Sequence, residues 1–398
     1  MVSDTLSDFV HTTAATAAAT SWTGSSHSGV AGDGAEATSF GPSRQLAVRA
    51  RLRIYYAVRM ATLPQAPTCV FDSYWTFAAE RQAMYERRLA GEVGPWTDNP
   101  ILRNFRFTNS YRAADRVSQY LIGEVQYGEG RSQAPAELFF RTLLFKLFNK
   151  VETWGRLERE LGPLSWQSAD FAAISRILSA AIGRGERIYS AAYIMPAPRY
   201  GHDRKHDNHL DLLQEMMLDG LPSQVQSAAS LGAVYELLKP YSGLGPFLAF
   251  QYAIDLNYSA LLDFDEASFV VAGPGALDGI AKCFSDPSGC RSEDVIFLMA
   301  ETQDREFRAR GLDFKGLFGR PLMPIDCQNL FCEISKYARV AHPEVVGVSN
   351  RTRIKQGYAP ARAPLPKPSF PPRWQLDVPD GPVPRSGDPQ LELFQALP

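Results

Sequence analysis

No apolar run in this chain approaches the ~18 residues that a membrane-spanning helix needs. Residues 1–20 have neither a basic flank nor a compact apolar stretch, so a secretory leader is not expected there. Cysteine is scarce. Cys69, Cys283, Cys290, Cys327 and Cys332 are odd in number and unevenly spaced, which fits free thiols in a reducing compartment better than a disulfide framework. An intracellular protein is expected, nuclear if the host is eukaryotic and cytoplasmic if it is prokaryotic. Neither Cys283 with Cys290 nor Cys327 with Cys332 has the two-residue spacing of a zinc ribbon, so no metal site is expected. No Gly-Lys dipeptide occurs, and without the phosphate-cradling lysine loop a P-loop kinase activity is not encoded in these residues. A Gly-x-Ser-x-Gly nucleophile elbow is also missing. The formal net charge is only −2, so contact with phosphate would have to come from local basic patches.

What is present is enough for one large core, since 45% of the residues are hydrophobic. Residues 1–43 are dominated by Ser, Thr, Ala and Gly and bury too little apolar surface to offset their ordering entropy, which predicts a disordered tail. Beyond His342, Pro360, Pro364, Pro366, Pro368, Pro371 and Pro372 interrupt regular structure, and residues 346–398 read as a second, extended tail. The core between them, 44–345, is expected to be mainly α, with β-rich pieces only near Arg51 to Val58 and Phe269 to Ala272. Ala136 to Lys150 is apolar nearly all round and predicts a central helix. Tyr111, Ala114, Val117 and Leu121 follow a helical spacing with Asn109 as a plausible cap, and a further helix is expected from an Asp326 cap onward.

Tyr241-Ser-Gly-Leu-Gly-Pro-Phe-Leu-Ala249 separates two helical stretches and predicts a helix, a glycine hairpin and a helix. Gly243 and Gly245 permit positive φ and close backbone approach, and the amides opening the second helix can hold a phosphate of DNA without reading sequence. The bland alternative is an αα turn with a glycine cap. His202, His206 and His209 are spaced to align on a helix, but the charged residues between them favour a solvated helix start or phosphate-facing loop over a metal site. Gly273-Pro-Gly275 leading to Gly279 is read as a turn, since no dinucleotide-binding frame surrounds it. The basic and aromatic stretch from Arg49 to Arg59 offers phosphate contact or plain packing.

Three blocks, in order, carry a family resemblance: Pro95-Trp-Thr-Asp-Asn-Pro-Ile-Leu102 running on to Phe107-Thr-Asn-Ser-Tyr-Arg-Ala-Ala-Asp-Arg-Val-Ser-Gln-Tyr-Leu-Ile122, then Phe269-Val-Val-Ala-Gly-Pro-Gly275, then Asp326-Cys-Gln-Asn-Leu-Phe-Cys-Glu-Ile-Ser-Lys-Tyr337. The chain resembles the helical domain of 5-hydroxymethyluracil DNA kinases, related to the alpha-glutamyl/putrescinyl thymine pyrophosphorylases and, more distantly, to helix-hairpin-helix DNA glycosylases. The resemblance implies a helical, glycosylase-like fold that handles 5-hydroxymethyluracil or a hypermodified thymine in DNA; no cofactor motif is read in the residues, and none is expected. By position it offers Asn109, Asp115, Gln119, Asn329, Glu333 and Lys336 as a base pocket, and Arg112 and Arg116 as contacts to DNA; a buried polar network is the alternative reading. Glycosylases of this kind place a catalytic Asp a little over twenty residues after the hairpin, which Asp265, or its neighbour Asp263, resembles. A loop or capping carboxylate is the other reading of both.

Two functions are therefore expected. One is a DNA-modification protein that flips a thymine-derived base and either processes or only recognises it, with DNA and a separate kinase or modification enzyme as partners and no membrane. The other is a non-catalytic interaction protein that has kept the fold and recruits partners through its proline-rich tail.

Overall fold

The computed structural model describes residues 66–191, 195–287, 289–359 and 365–379. The expected tail 1–43, the β-rich piece at 51–58 and the basic stretch 49–59 lie outside the described residues. The described residues all belong to one packed unit, Arg59–Pro398. Among them the architecture is helical, with isolated β-bridges and no regular strand. No helix is long and apolar enough to cross a membrane among these residues.

Helix α1 (Cys69–Leu89) starts at Thr68, whose hydroxyl accepts from the Val70 amide, and buries Tyr74, Trp75 and Phe77. The short α2 (Pro100–Asn104) is capped by Asn99 and opened by a proline, whose missing amide costs nothing there. A 3₁₀ turn (Arg112–Ala114) precedes α3 (Arg116–Tyr120), which widens into a π-helical turn at Leu121–Gln126. The continuous helix expected from Tyr111 is thus broken, because Asp115 is extended (ψ 145°). Asn109 does not cap it: its amide donates to the Ala114 carbonyl.

Next come α4 (Pro135–Phe148), α5 (Val151–Leu161), α6 (Phe171–Gly183), α7 (Lys205–Leu218), α8 (Leu221–Gln226), α9 (Leu231–Leu238) and α10 (Pro246–Tyr258). Helix α4 is the central element, touching α5, α7, α8, α10 and the π turn. Its charged residues are buried with the rest and satisfied. Arg141 donates to the carbonyls of Val125 (2.9 Å) and Ser132 (2.6 Å), and Glu137 accepts from the amides of Trp166 (2.8 Å) and Gln167 (3.2 Å). On α10, fully buried Asp255 sits between Arg112 Nη1 (2.7 Å) and Lys146 Nζ (3.1 Å).

The last helices are α11 (Pro274–Cys283), α12 (Ser292–Ala309) and α13 (Pro324–Ala341). Gly273 is the cap of α11 and Pro274 its first residue. Gly279 lies inside α11, and a Cβ there would stand 2.1 Å from the Phe331 carbonyl oxygen, so the backbones of α11 and α13 touch at this point. The glycines read as a turn are a helix start and a helix crossing. Helix α13 begins at Pro324, and Asp326 works from inside its first turn, accepting from the Met323 amide (3.0 Å).

The proline-rich segment differs from the sequence expectation. The Gly357 region pairs with Phe105, and Tyr358 donates to the Asn104 carbonyl (2.9 Å). Residues 365–379 form a strap on the core. Trp374 packs edge-on to Tyr258 and under the Arg320 guanidinium, while Phe370 meets Phe318. Arg373 donates to the carbonyls of Ser259 (3.2 Å), Leu262 (2.9 Å) and Asn257. Proline prevents helix but leaves aromatic and guanidinium side chains free to bury, which composition alone does not show.

Candidate functional site

The residues 107–115 lie across one face of α13, and both ends of the crossing are fixed by carboxylates of that helix. Asp326 accepts from the Arg112 amide (2.8 Å), and Glu333, two turns along, accepts from the Thr108 amide (3.1 Å). Asn329 occupies the same face between them, since positions three and four apart stack on one side. It is 8% exposed, and among the described residues its carboxamide makes no hydrogen bond. Lys336 pairs with Glu333 (2.7 Å) and lies over the Phe107 ring (4.5 Å).

From the opposite side, α1 supplies Arg81, a residue the motifs did not single out. Its guanidinium donates to the Thr108 carbonyl (3.0 Å) and to Asn109 Oδ1 (3.0 Å). Asn109 in turn donates its backbone amide to Asp115 (2.7 Å). Burial pushes the Asp115 carboxyl up to about 7; the Asn109 amide opposes this, and nearby Glu333 adds to it. Asp326 is likewise pushed up to about 7 by burial, against the two amides it accepts. The result is a largely buried polar network of carboxylates, carboxamides and one guanidinium, in which Asn109, Asp115 and Glu333 are linked through residues 107–115 and Asn329 and Lys336 share the α13 face.

These two carboxyls give the fold a definite pH dependence. An acid whose folded pKa is raised binds more protons folded than unfolded between about 4 and 7, so its contribution to stability falls as pH rises through that window. Urea midpoints measured from pH 4 to pH 7 should show this decline, and Asp115→Asn, which can still accept the Asn109 amide, should flatten it. A wild-type decline identical in Asp115→Asn and Asp326→Asn would refute the assignment.

The remaining expected site residues sit elsewhere. Gln119 binds the strap, donating to the Ser369 carbonyl (3.0 Å) and accepting from the Ser369 amide (2.8 Å), so it is not part of this network. Arg112 is 2% exposed and bonded to Asp255 and to Gln251 (3.0 Å), out of reach of a phosphate. Arg116 is half-buried and faces Glu152 (3.5 Å). Asp265 is exposed and caps the short 3₁₀ turn Glu266–Ser268 by accepting from the Ala267 amide (2.9 Å). Asp263 is 85% exposed beside Arg373 (3.4 Å). Neither joins the network on α13. The buried carboxylate of this stretch is Glu266, paired with Arg320 (3.3 Å), because the turn points Asp265 outward and Glu266 inward. A count of residues from the hairpin does not reveal that one-position change of side.

The glycine hairpin connects α9 to α10. Gly243 has φ +83°, and Gly245 precedes Pro246, the first residue of α10. Gly245 and Pro246 are exposed, and the Ser242 hydroxyl accepts from the Arg199 amide (3.2 Å). The three histidines diverge. His206 meets Ser179 (2.9 Å), His209 lies between Tyr189 (2.7 Å) and the Pro196 carbonyl (2.9 Å), and exposed His202 meets Asp211 (2.6 Å). His206 and His209 are core residues rather than a solvated helix start, and burial pushes His209 down to about 4.

Residues 68–347 match the family described as 5-hmdU DNA kinase, helical domain. A curated relative, the 5-hmdU DNA kinase of Bacillus phage SP10, is 26% identical over 302 residues, which cover 70% of this chain and 46% of the relative. The chain therefore spans about half the length of that relative. No solved structure matches. The match runs from the start of α1 to just past α13 and includes this polar network, and the chain belongs to the 5-hmdU DNA kinase helical-domain family.

Proposed function

We propose that this chain recognises 5-hydroxymethyluracil, or a thymine hypermodified from it, in DNA by taking the base out of the stack onto the polar network where residues 107–115 meet α13. The observation that carries the reading is Asn329. Its carboxamide makes no hydrogen bond among the described residues, and the exposure it retains leaves its polar atoms open to a ligand. Its oxygen and amide group complement the imide edge of a uracil, which presents N–H beside two carbonyls. Asp115 and Glu333 supply acceptors for a hydroxymethyl group. The exposed start of α10 at the glycine hairpin suits a DNA phosphate through its amides and dipole. In this role the chain is a recogniser, and phosphoryl transfer belongs to a kinase module outside these residues.

Fluorescence anisotropy of the full chain with duplexes bearing one 5-hydroxymethyluracil or one thymine, at two salt concentrations, tests this. Tighter, salt-dependent binding of the modified duplex is expected. Asn329→Ala should reduce the preference about tenfold, the range of one lost base contact. Gly243→Asp with Gly245→Asp should weaken both duplexes alike. Equal affinity for the two duplexes would sink the proposal. Recruitment of partners through the proline-rich tail is disfavoured over 365–379, where Phe370, Arg373 and Trp374 already pack on the core.

A further inference from the structure

Away from this network, the two ends of the matched segment meet. Cys69 opens α1 and His342 closes α13, and Cys69 Sγ lies 3.4 Å from His342 Nδ1. Pro343 stops the helix, and a turn closed by the Val345 amide on the His342 carbonyl (3.0 Å) brings Glu344 to 3.8 Å from the same ring nitrogen. The three ligand atoms all lie within 4.8 Å of one another. Tetrahedral zinc with Zn–S of about 2.3 Å and Zn–N of about 2.0 Å holds its sulfur and nitrogen roughly 3.5 Å apart, so the Cys–His separation needs almost no adjustment.

The second nitrogen supports the same reading. Ser73, one turn along α1 from Cys69, places Oγ 2.7 Å from His342 Nε2. With the proton on Nε2 and Ser73 accepting it, Nδ1 is left bare and aimed at the sulfur and the carboxylate. A metal-binding imidazole requires this arrangement of its outer nitrogen. Cys69 is exposed, so a cation reaches it, whereas Cys283 and Cys327 are buried.

We propose that Cys69, His342 and Glu344 bind one thiophilic divalent cation of the zinc type, with solvent at the fourth position. Binding forms metal–sulfur, metal–nitrogen and metal–oxygen bonds and releases the Cys69 thiol proton to water; nothing is oxidised or reduced. The site lies about 18 Å along α1 from Arg81, at 1.5 Å per residue, so its role is to clasp the first helix to the last rather than to touch the proposed base site. The spacing of residues in sequence hides it, because its ligands are separated by |i−j| of 273.

Cobalt(II) titration of the full, chelator-treated chain tests it. One equivalent should give a near-ultraviolet sulfur-to-cobalt band with tetrahedral visible absorption, displaced by zinc and accompanied by a rise in melting temperature. Cys69→Ser and His342→Ala should abolish the band while far-ultraviolet circular dichroism stays unchanged, and Ser73→Ala should weaken binding by roughly 10- to 100-fold. Absence of the sulfur band in the wild type, or its survival in folded Cys69→Ser, overturns the proposal.

Discussion

Replacing Asp255 by alanine is expected to cost about 3–5 kcal/mol, the range for breaking a buried ion pair from one side. That is a large part of the ~5–15 kcal/mol by which a domain is stable. The side chain is fully shielded from water and holds Arg112 and Lys146 at 2.7 Å and 3.1 Å, both of them also buried. Without it, two cations on different elements remain close together in the core. Lys146→Met should be milder, because Asp255 keeps Arg112. Burial pushes the Asp255 carboxyl up, but Arg112 and Lys146 outweigh it and hold the group below the usual range. Its contribution is therefore present at neutral pH and lost as pH falls through the folded pKa, so wild type should lose stability in acid on a limb that Asp255→Ala lacks. Urea unfolding followed by circular dichroism measures both, and a change within ±0.5 kcal/mol, as at a surface site, would contradict the ion-pair account.

The second large effect is expected at Gly279. Any Cβ there meets the Phe331 carbonyl oxygen at 2.1 Å and its carbon at 2.7 Å, and these are backbone atoms that no rotamer change can move. Gly279→Val must push α11 from α13, and overpacking of this kind costs about 1–3 kcal/mol or more. Gly279→Ala should already lower the denaturation midpoint, despite the ~1 kcal/mol by which alanine is the better helix former. A higher midpoint for the alanine variant would show that the helices do not approach as closely as described.

The helical class was legible because long apolar runs at helical spacing leave few alternatives, and α4 and α13 follow from them. Family membership was legible from three ordered blocks. Residues that share a helix face were also readable: Asn329, Glu333 and Lys336 need only the period of α13. Partners supplied by other elements were not. Arg81 comes from the middle of α1, and nothing in its neighbours marks it as the residue that holds Asn109. Arg112 and Gln119 fit a polar helix face in the sequence, but a bend at Asp115 turns one into the core and the other toward the strap. The strap itself was read as tail because composition measures the absence of helix, and its attachment depends on four side chains: Gln119, Phe370, Arg373 and Trp374.

That strap also sets an order for biosynthesis. Arg373 binds carbonyls of residues 257, 259 and 262, which precede it by 116, 114 and 111 positions. At a bacterial or eukaryotic ribosome's ~5–20 residues per second, roughly 6–23 s pass between the synthesis of those carbonyls and that of the guanidinium they accept from. Until Arg373 and Trp374 are made, the carbonyls at the end of α10 and Tyr258 lack these partners, so this edge of the core is completed by residues made well after it.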